Sequence, residues 1–113
     1  MRFLRMLTLS LLLLVLVACG KPVPQDKAAF VGEWKGQNTR LMISQEGRVK
    51  YEHVKEGTTT SIDAPLQGFE GDNFSIGIGP LATKFVVTTP PHAYGADWKM
   101  VVNGIELTKD ANY

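Results

Sequence analysis

The chain has 113 residues, with 12 basic and 11 acidic side chains and a formal net charge of +1 at pH 7. A charge this close to zero creates no long-range field toward polyanions, so the composition argues against a nucleic-acid-binding protein. The single cysteine, Cys19, excludes an intramolecular disulfide. The length is sufficient for the core of one domain and too short for two.

Residues 1–18 have the parts of a secretory signal peptide. Arg2 and Arg5 give a positively charged start without an acidic residue, and residues 7–17 are almost wholly apolar. This apolar run is shorter than the roughly 20 residues that span a bilayer, which favours a cleaved signal helix over a permanent membrane helix. Without this segment the chain keeps 10 basic and 11 acidic side chains, a net charge of −1.

The apolar run ends in Leu16-Val17-Ala18-Cys19. This sequence resembles the lipobox of bacterial lipoproteins, in which a leucine, a small or branched residue and an alanine or glycine precede the cysteine. The resemblance implies cleavage after Ala18, a diacylglyceryl thioether on Cys19 and acylation of the new amino terminus. Two or three buried acyl chains anchor a protein almost irreversibly, at about 0.8 kcal/mol per methylene. The alternatives are a buried core cysteine and an uncleaved membrane helix.

The residue after the cysteine bears on location. In Gram-negative lipoproteins an aspartate at this position commonly retains the protein in the inner membrane, whereas this chain has Gly20. We therefore expect an outer-membrane protein that faces the periplasm. Residues 19–29 contain Pro22 and Pro24 and lack apolar periodicity. They are expected to form the lipidated cysteine and a flexible tether, extended at about 3.1 Å per residue, before a β domain of residues 30–113.

The β domain is predicted from alternation. Short runs of alternating apolar and polar residues begin near Phe30, Leu41, Val49, Phe74, Phe85, Trp98 and Ile105. A period of two indicates strands with one buried face. Asn103-Gly104 is the preferred pair of a two-residue type I′ hairpin turn, and such short connections require antiparallel neighbours. The prediction is an all-β antiparallel meander of seven or eight strands, either a barrel or a two-sheet sandwich, after the signal helix.

Three stretches interrupt the alternation. Pro65 lies inside an otherwise plausible strand and predicts an edge position or a bulge. Residues 89–95 are expected to form the longest loop, and residues 90–95 are the first candidate for a partner site, because binding residues concentrate on loops. The alternative is that this proline-rich stretch only protects a sheet end. Residues 77–80 (Gly-Ile-Gly-Pro) are interpreted as a turn, because no helix follows that could bind a phosphate.

Two resemblances concern the β domain. Gly32-Glu33-Trp34 is similar to the Gly-x-Trp of lipocalin-like barrels, in which the tryptophan closes one end; this implies a closed or nearly closed meander. A barrel of about eight very short strands is filled by its own side chains. The order of the predicted strands, up to the Trp98-Lys99-Met100 run and the Asn-Gly turn, resembles small lipoproteins of Gram-negative bacteria. That resemblance implies an envelope location; it carries no activity with it, because this group has no assigned function.

No pattern for catalysis or for a cofactor is found. His53 and His92 are the only histidines and have no zinc-ligand spacing, and no local spacing pairs two carboxylates. Neither a Gly-x-Ser-x-Gly elbow nor a Ser-x-x-Lys pair occurs. The sequence therefore predicts a protein that is not an enzyme and binds neither a cofactor nor a metal.

The predicted function is a non-catalytic outer-membrane lipoprotein whose partners are the membrane, through Cys19, and another envelope protein. One alternative is a periplasmic inhibitor similar to lysozyme inhibitors, acting through residues 90–95. The other is a small-ligand binder with a lipocalin-like barrel, for which we expect a cavity lined by Trp34, Phe74 and Trp98.

Overall fold

The computed structural model describes residues 20–111. The predicted signal peptide and Cys19 lie outside the described residues. In chain order the elements are η1 (Gln25–Phe30), β1 (Gly32–Gly36), β2 (Thr39–Ile43), β3 (Arg48–Lys55), β4 (Thr58–Glu70), β5 (Asn73–Ile76), η2 (Gly79–Leu81), β6 (Thr83–Phe85), β7 (Val87–Tyr94), β8 (Asp97–Val102) and β9 (Ile105–Lys109), where η denotes a 3-10 helix.

The nine strands form one antiparallel sheet in the order β6-β5-β4-β3-β2-β1-β9-β8-β7. This confirms the prediction of an all-β meander, with one strand more than the larger number expected. The sheet is curled: Phe85 of β6 contacts Tyr51 of β3, three strands away, with ring centroids 5.0 Å apart. The architecture is therefore a partly closed barrel made of a single sheet, and a two-sheet sandwich is excluded.

The hairpin turns follow the predicted chemistry. Asn103 and Gly104 both have positive φ, 49° and 79°, and they join Val102 to its partner Ile105. Positive φ at both central residues defines the type I′ turn. Glu56 and Gly57 form a similar turn between β3 and β4, with φ of 51° and 78°.

The core consists of the inward side chains of these strands. In β2, buried Thr39, Leu41 and Ile43 alternate with more exposed Arg40 and Met42. Complete burial of an aliphatic or aromatic side chain contributes about 1.5–3 kcal/mol. The largest fully buried side chains come from eight of the nine strands: Trp34, Leu41, Ile43, Val49, Leu66, Phe74, Ile76, Phe85, Met100 and Leu107.

Pro65 was predicted to mark an edge position or a bulge; β4 is an internal strand, and Pro65 lies next to a register shift in it. Residues of β4 up to Pro65 pair with β3, whereas pairing with β5 begins only at Leu66 and shifts between Leu66 and Gly68. The missing N–H of Pro65 therefore interrupts no ladder between β4 and β5.

Residues 89–95 correct a prediction. The expected loop lies largely in β7, which pairs with β8 through register shifts between Val87 and Thr89 and between Thr89 and His92. β7 is at the edge of the sheet, where a proline can be accommodated because one side of the strand has no ladder to donate to. The prediction was wrong because it treated the two prolines as a sign of a loop, although an edge strand accommodates them.

Candidate functional site

The segment that follows Cys19 lies against the barrel. The Lys21 N–H donates to the carbonyl of Leu66 at 3.2 Å, and the Val23 N–H donates to the carbonyl of Gln45 at 3.0 Å. The Gln45 side chain donates back to the Val23 carbonyl at 3.0 Å, and the Val23 side chain is buried in the core. From Gly20 onward these contacts correct the expectation of a free tether over residues 19–29.

Two glycines permit this close approach. A Cβ on Gly20 would lie 2.8 Å from the Gly47 carbonyl oxygen, and a Cβ on Gly47 would collide with the Lys21 carbonyl. Their φ angles, 101° and 91°, also lie in the region that favours glycine. The turn between β2 and β3 is therefore shaped to receive residues 20–23, which fixes where the chain from Cys19 reaches the domain.

The helix η1 gives the segment a second attachment. Lys27 Nζ lies 3.1 Å from Asp72 Oδ1 and 5.8 Å from the centroid of the Phe69 ring. Phe30, the last residue of η1, is buried and meets Phe69 and Phe74 edge-on, with centroids 5.0 and 6.3 Å away. The N-terminal segment is thus part of the folded domain.

The connection between β5 and β6 carries an exposed apolar turn, residues 78–81, which we call the apolar tip. Ile78 is 75% exposed and Leu81 is 83% exposed, with Pro80 between them. The Leu81 N–H donates to the Ile78 carbonyl at 3.1 Å, and the Gln67 side chain donates to the Gly79 carbonyl at 3.0 Å. The sequence predicted a turn here, but alternation gave no sign that its aliphatic side chains would point to solvent.

The apolar tip and the start of the described chain border the same surface depression. The depression has a volume of about 480 Å³ and is lined by Gly20, Lys21, Pro65, Leu66, Gln67, Gly77, Ile78 and Gly79. β4 contributes three of these residues, so it connects the N-terminal segment with the tip. This surface, next to Cys19 in the chain, is the first candidate functional site.

A second candidate is the corner between β7 and β8, which contains the residues predicted to bind a partner. Tyr94 is 65% exposed and Trp98 is 42% exposed, and Lys99 Nζ lies 5.7 Å from the Tyr94 ring. His92 Nδ1 lies 3.0 Å from the Pro90 carbonyl oxygen within the same strand. Exposed tyrosine and tryptophan are common at protein interfaces.

Trp34 and Lys109 both donate hydrogen bonds to the end of η1. The Trp34 Nε1–H donates to the Phe30 carbonyl at 2.9 Å, and Lys109 Nζ donates to the Ala29 carbonyl at 2.8 Å. The ammonium lies 5.0 Å from the Trp34 ring and 5.8 Å from the Trp98 ring. Burial lowers the pKa of Lys109, while the carbonyl and the two ring faces stabilise its charged form.

The expected ligand cavity does not form around Trp34, Phe74 and Trp98. Trp34 and Phe74 are fully buried in the core, and Trp98 is partly exposed. Four clefts on the surface of residues 20–111 are lined by other residues and include none of the three. The barrel interior is filled by side chains, as expected for short strands.

Another depression lies on a charged outer face of the sheet. This open depression of about 430 Å³ lies over β1 to β4, where Glu33 contacts Arg40 at 3.4 Å and Asp63 contacts Arg48 at 3.1 Å. The opposite charges compensate one another at the surface, so this depression has no strong field for an ionic ligand.

The histidines and aspartates do not converge on a reactive group. His53 Nδ1 lies 2.8 Å from Thr39 Oγ1, and its ring stacks on Tyr51. Among residues 20–111, no three His, Cys, Asp or Glu side chains are grouped so that they could hold a metal ion. Over the same range the structure has no helix that is both long and apolar enough to cross a membrane.

Comparison with known proteins yields no relative. No family, no curated protein and no solved structure matches this chain. The features of this chain that bear on function are therefore the lipobox-like sequence and the two candidate surfaces.

Proposed function

We propose that this protein is a non-catalytic lipoprotein of the cell envelope, anchored through Cys19 to the periplasmic side of the outer membrane. The lipobox-like sequence Leu16-Val17-Ala18-Cys19 supports the anchor. The observation that carries the proposal is the attachment of residues 20–23 to the barrel, because acyl chains on Cys19 would then hold the domain directly at the bilayer.

The second part of the proposal is that the barrel contacts another envelope protein through the β7–β8 corner. Tyr94 and Trp98 support this, because they are large aromatic side chains left partly exposed on the edge strand β7 and on its neighbour β8. Aromatic side chains of this kind supply most of the binding energy at many interfaces. Tyr94 pairs with Asp97 and Trp98 pairs with Ala93, so the two rings lie on opposite faces of the hairpin. The partner would contact Trp98 on one face of this corner and Tyr94, with Lys99 beside it, on the other.

The two alternatives have less support from the geometry. A small-ligand binder needs an internal cavity, whereas the interior near Trp34 and Phe74 is filled. An inhibitor of the lysozyme-inhibitor type was expected to act through a protruding polar loop at residues 90–95, but residues 90–94 belong to strand β7, and three of them pair with β8.

The anchor is tested by Cys19→Ser in the full chain. We expect this variant to lose lipid labelling and to accumulate as unprocessed or soluble protein, because serine cannot form the thioether. Fractionation of the envelope together with intact-mass measurement reads out both effects. Lys21→Ala, outside the lipobox-like sequence, is the control and is expected to be processed and acylated normally. A Cys19→Ser protein that is still processed and acylated in the outer membrane contradicts the proposal.

The partner is tested by crosslinking in intact envelopes, with a photoreactive group at Trp98 and a control at Val54. A protein recovered reproducibly from the Trp98 position alone is the expected result. Recovery of no partner at Trp98, combined with measurable turnover by the purified protein, would count against a non-catalytic binding module.

A further inference from the structure

We propose that the apolar tip, residues 78–81, inserts into the bilayer beside the acyl chains of Cys19 and so sets the orientation of the barrel on the membrane. This inference rests on the proposed acylation of Cys19. The side chains involved, Ile78 and Leu81, are the two most exposed large hydrophobic residues in the described part of the chain. Single exposed hydrophobic residues are ordinary, whereas two in one tight turn form a local apolar patch.

The position of the tip relative to the anchor is the first argument. Two neighbouring residues of β4, Pro65 and Leu66, join the segment after Cys19 to the start of the tip. The Leu66 carbonyl accepts from the Lys21 N–H at 3.2 Å, and the Pro65 carbonyl accepts at 2.9 Å from the N–H of Gly77, the residue before the tip. Cys19 is joined to Gly20 by one peptide unit, which places their Cα atoms about 3.8 Å apart. Acyl chains on Cys19 therefore enter the bilayer from the surface that carries the tip.

The composition of the tip is the second argument. From Gly77 to Thr83 the chain has no charged residue, so insertion would bury no ionised group. Lys84 follows this stretch in the chain, and Lys21 borders the same depression as Ile78. Both lysines are exposed and form no ion pair within residues 20–111. An apolar turn near two such ammonium groups matches a membrane interface, where acyl chains lie beneath anionic headgroups.

The shape of the tip is the third argument. The turn is held by the Leu81–Ile78 backbone bond and by the Gln67 side chain on Gly79, so little conformational freedom is lost on insertion. Once the anchor is in place, contact of the tip with the bilayer is intramolecular and occurs at a high effective concentration. A protein that used the tip would have to compete with this contact, which favours the bilayer as its occupant.

The inference is tested by measuring depth with a probe in the full chain, after processing in cells and reconstitution into vesicles of phosphatidylethanolamine and phosphatidylglycerol. An environment-sensitive fluorophore is attached to Leu81→Cys or to Val54→Cys; the acylated Cys19 has no free thiol. Val54 is the matched control: it is an aliphatic residue, 37% exposed, six residues along β3 from Arg48, the partner of Pro65. That separation is about 20 Å at 3.3 Å per residue.

We expect nitroxide-labelled lipids to quench the Leu81→Cys probe several-fold more strongly than the Val54→Cys probe. Equal quenching at the two positions overturns the inference. A Leu81→Cys probe that responds to added envelope proteins and ignores nitroxide lipids also overturns it, in favour of a protein contact.

The intact mass of the same labelled protein shows whether Cys19 is acylated. It therefore distinguishes a failure of tip insertion from a failure of the proposed anchor. An acylated protein whose Leu81→Cys probe stays in water refutes the insertion and leaves the anchor standing. A mass without acyl chains refutes both proposals. Acylation combined with strong quenching at Leu81→Cys supports both.

Discussion

Tyr51 shows how the curled sheet affects the chemistry of one side chain. It lies on β3 with its ring stacked on His53 and edge-on to Phe85, at 5.0 Å between centroids. Burial raises the pKa of Tyr51 above its ordinary value of 10.0, because the phenolate would lose contact with water. The folded chain therefore keeps this proton at a pH where the unfolded chain has released it. The resulting stability is complete below pH 10.0 and is lost as the pH rises through the raised pKa.

Tyr51→Phe is expected to flatten this pH dependence. The substitution keeps the ring contacts, and residues 20–111 offer the hydroxyl no hydrogen-bond partner, so at neutral pH the free energy of unfolding should change by no more than about 0.5 kcal/mol. Above pH 10.0 the wild-type protein should lose stability more steeply than the variant. Urea denaturation across this range measures the difference. Lys109, whose pKa is lowered, has the opposite pH dependence but is present in both proteins. Parallel curves for the two proteins would contradict the expectation.

At the scale of elements, alternation of apolar and polar residues predicts a strand where that strand has regular neighbouring strands on both sides. It located β2, β5, β8 and β9 through side chains such as Leu41, Phe74, Met100 and Leu107, which are all buried. It missed β7 because the prolines of that strand indicated a loop, although an edge strand accommodates proline. It also missed the attachment of residues 20–30, because the contacts of Val23 with Gln45 and of Lys27 with Asp72 join residues far apart in sequence.

The same limit applies to the candidate surfaces. The sequence singled out Cys19 and residues 90–95, and it identified residues 77–80 as a turn. The sequence did not predict that the tip lies near Gly20, because this proximity is created by Pro65 and Leu66, halfway along β4. Exposure of Ile78 and Leu81 likewise depends on how the sheet ends around them, and no local pattern encodes this.

Gly47 tests whether the N-terminal segment is an integral element. Gly47→Ala is expected to cost about 2–3 kcal/mol, because the new Cβ meets both an unfavourable φ and the Lys21 backbone. Gly57→Ala is the matched control: its φ is 78° and a Cβ there has nothing within 4 Å, so only the backbone term of about 1 kcal/mol remains. Chemical denaturation gives both values.

Hydrogen exchange adds a local measurement. The Val23 amide, which donates to Gln45, should exchange faster in Gly47→Ala and at the wild-type rate in Gly57→Ala, because only the first substitution displaces the segment. Equal losses of stability in the two variants, with unchanged exchange at Val23, would mean that the segment does not depend on this turn.

At the scale of the whole molecule, the barrel has a seam. β6 and β7 are the two edges of the sheet, and they follow each other in the chain with only Val86 between them. Asparagine side chains supply hydrogen bonds at this point: Asn103 Oδ1 accepts from the Val86 N–H at 2.9 Å, and Asn73 Oδ1 accepts from the Val87 N–H at 2.8 Å. These two bonds hold the chain as it crosses from one edge to the other.

The seam gives the last prediction. Asn103→Gly keeps a residue that accepts the φ of 49° and removes only the side-chain acceptor, so it should cost about 1 kcal/mol. Asn38→Gly is the matched control, because Asn38 has a φ of 51° and its side chain accepts no hydrogen bond within residues 20–111.

Adding Asn73→Ala to Asn103→Gly should release the edges of β6 and β7 and promote edge-to-edge association. Denaturation and light scattering measure the two effects. An Asn103→Gly protein as stable as Asn38→Gly, with a monomeric double variant, would show that packing and the backbone bond from the Asn103 N–H to the Val86 carbonyl close the seam without the two side chains.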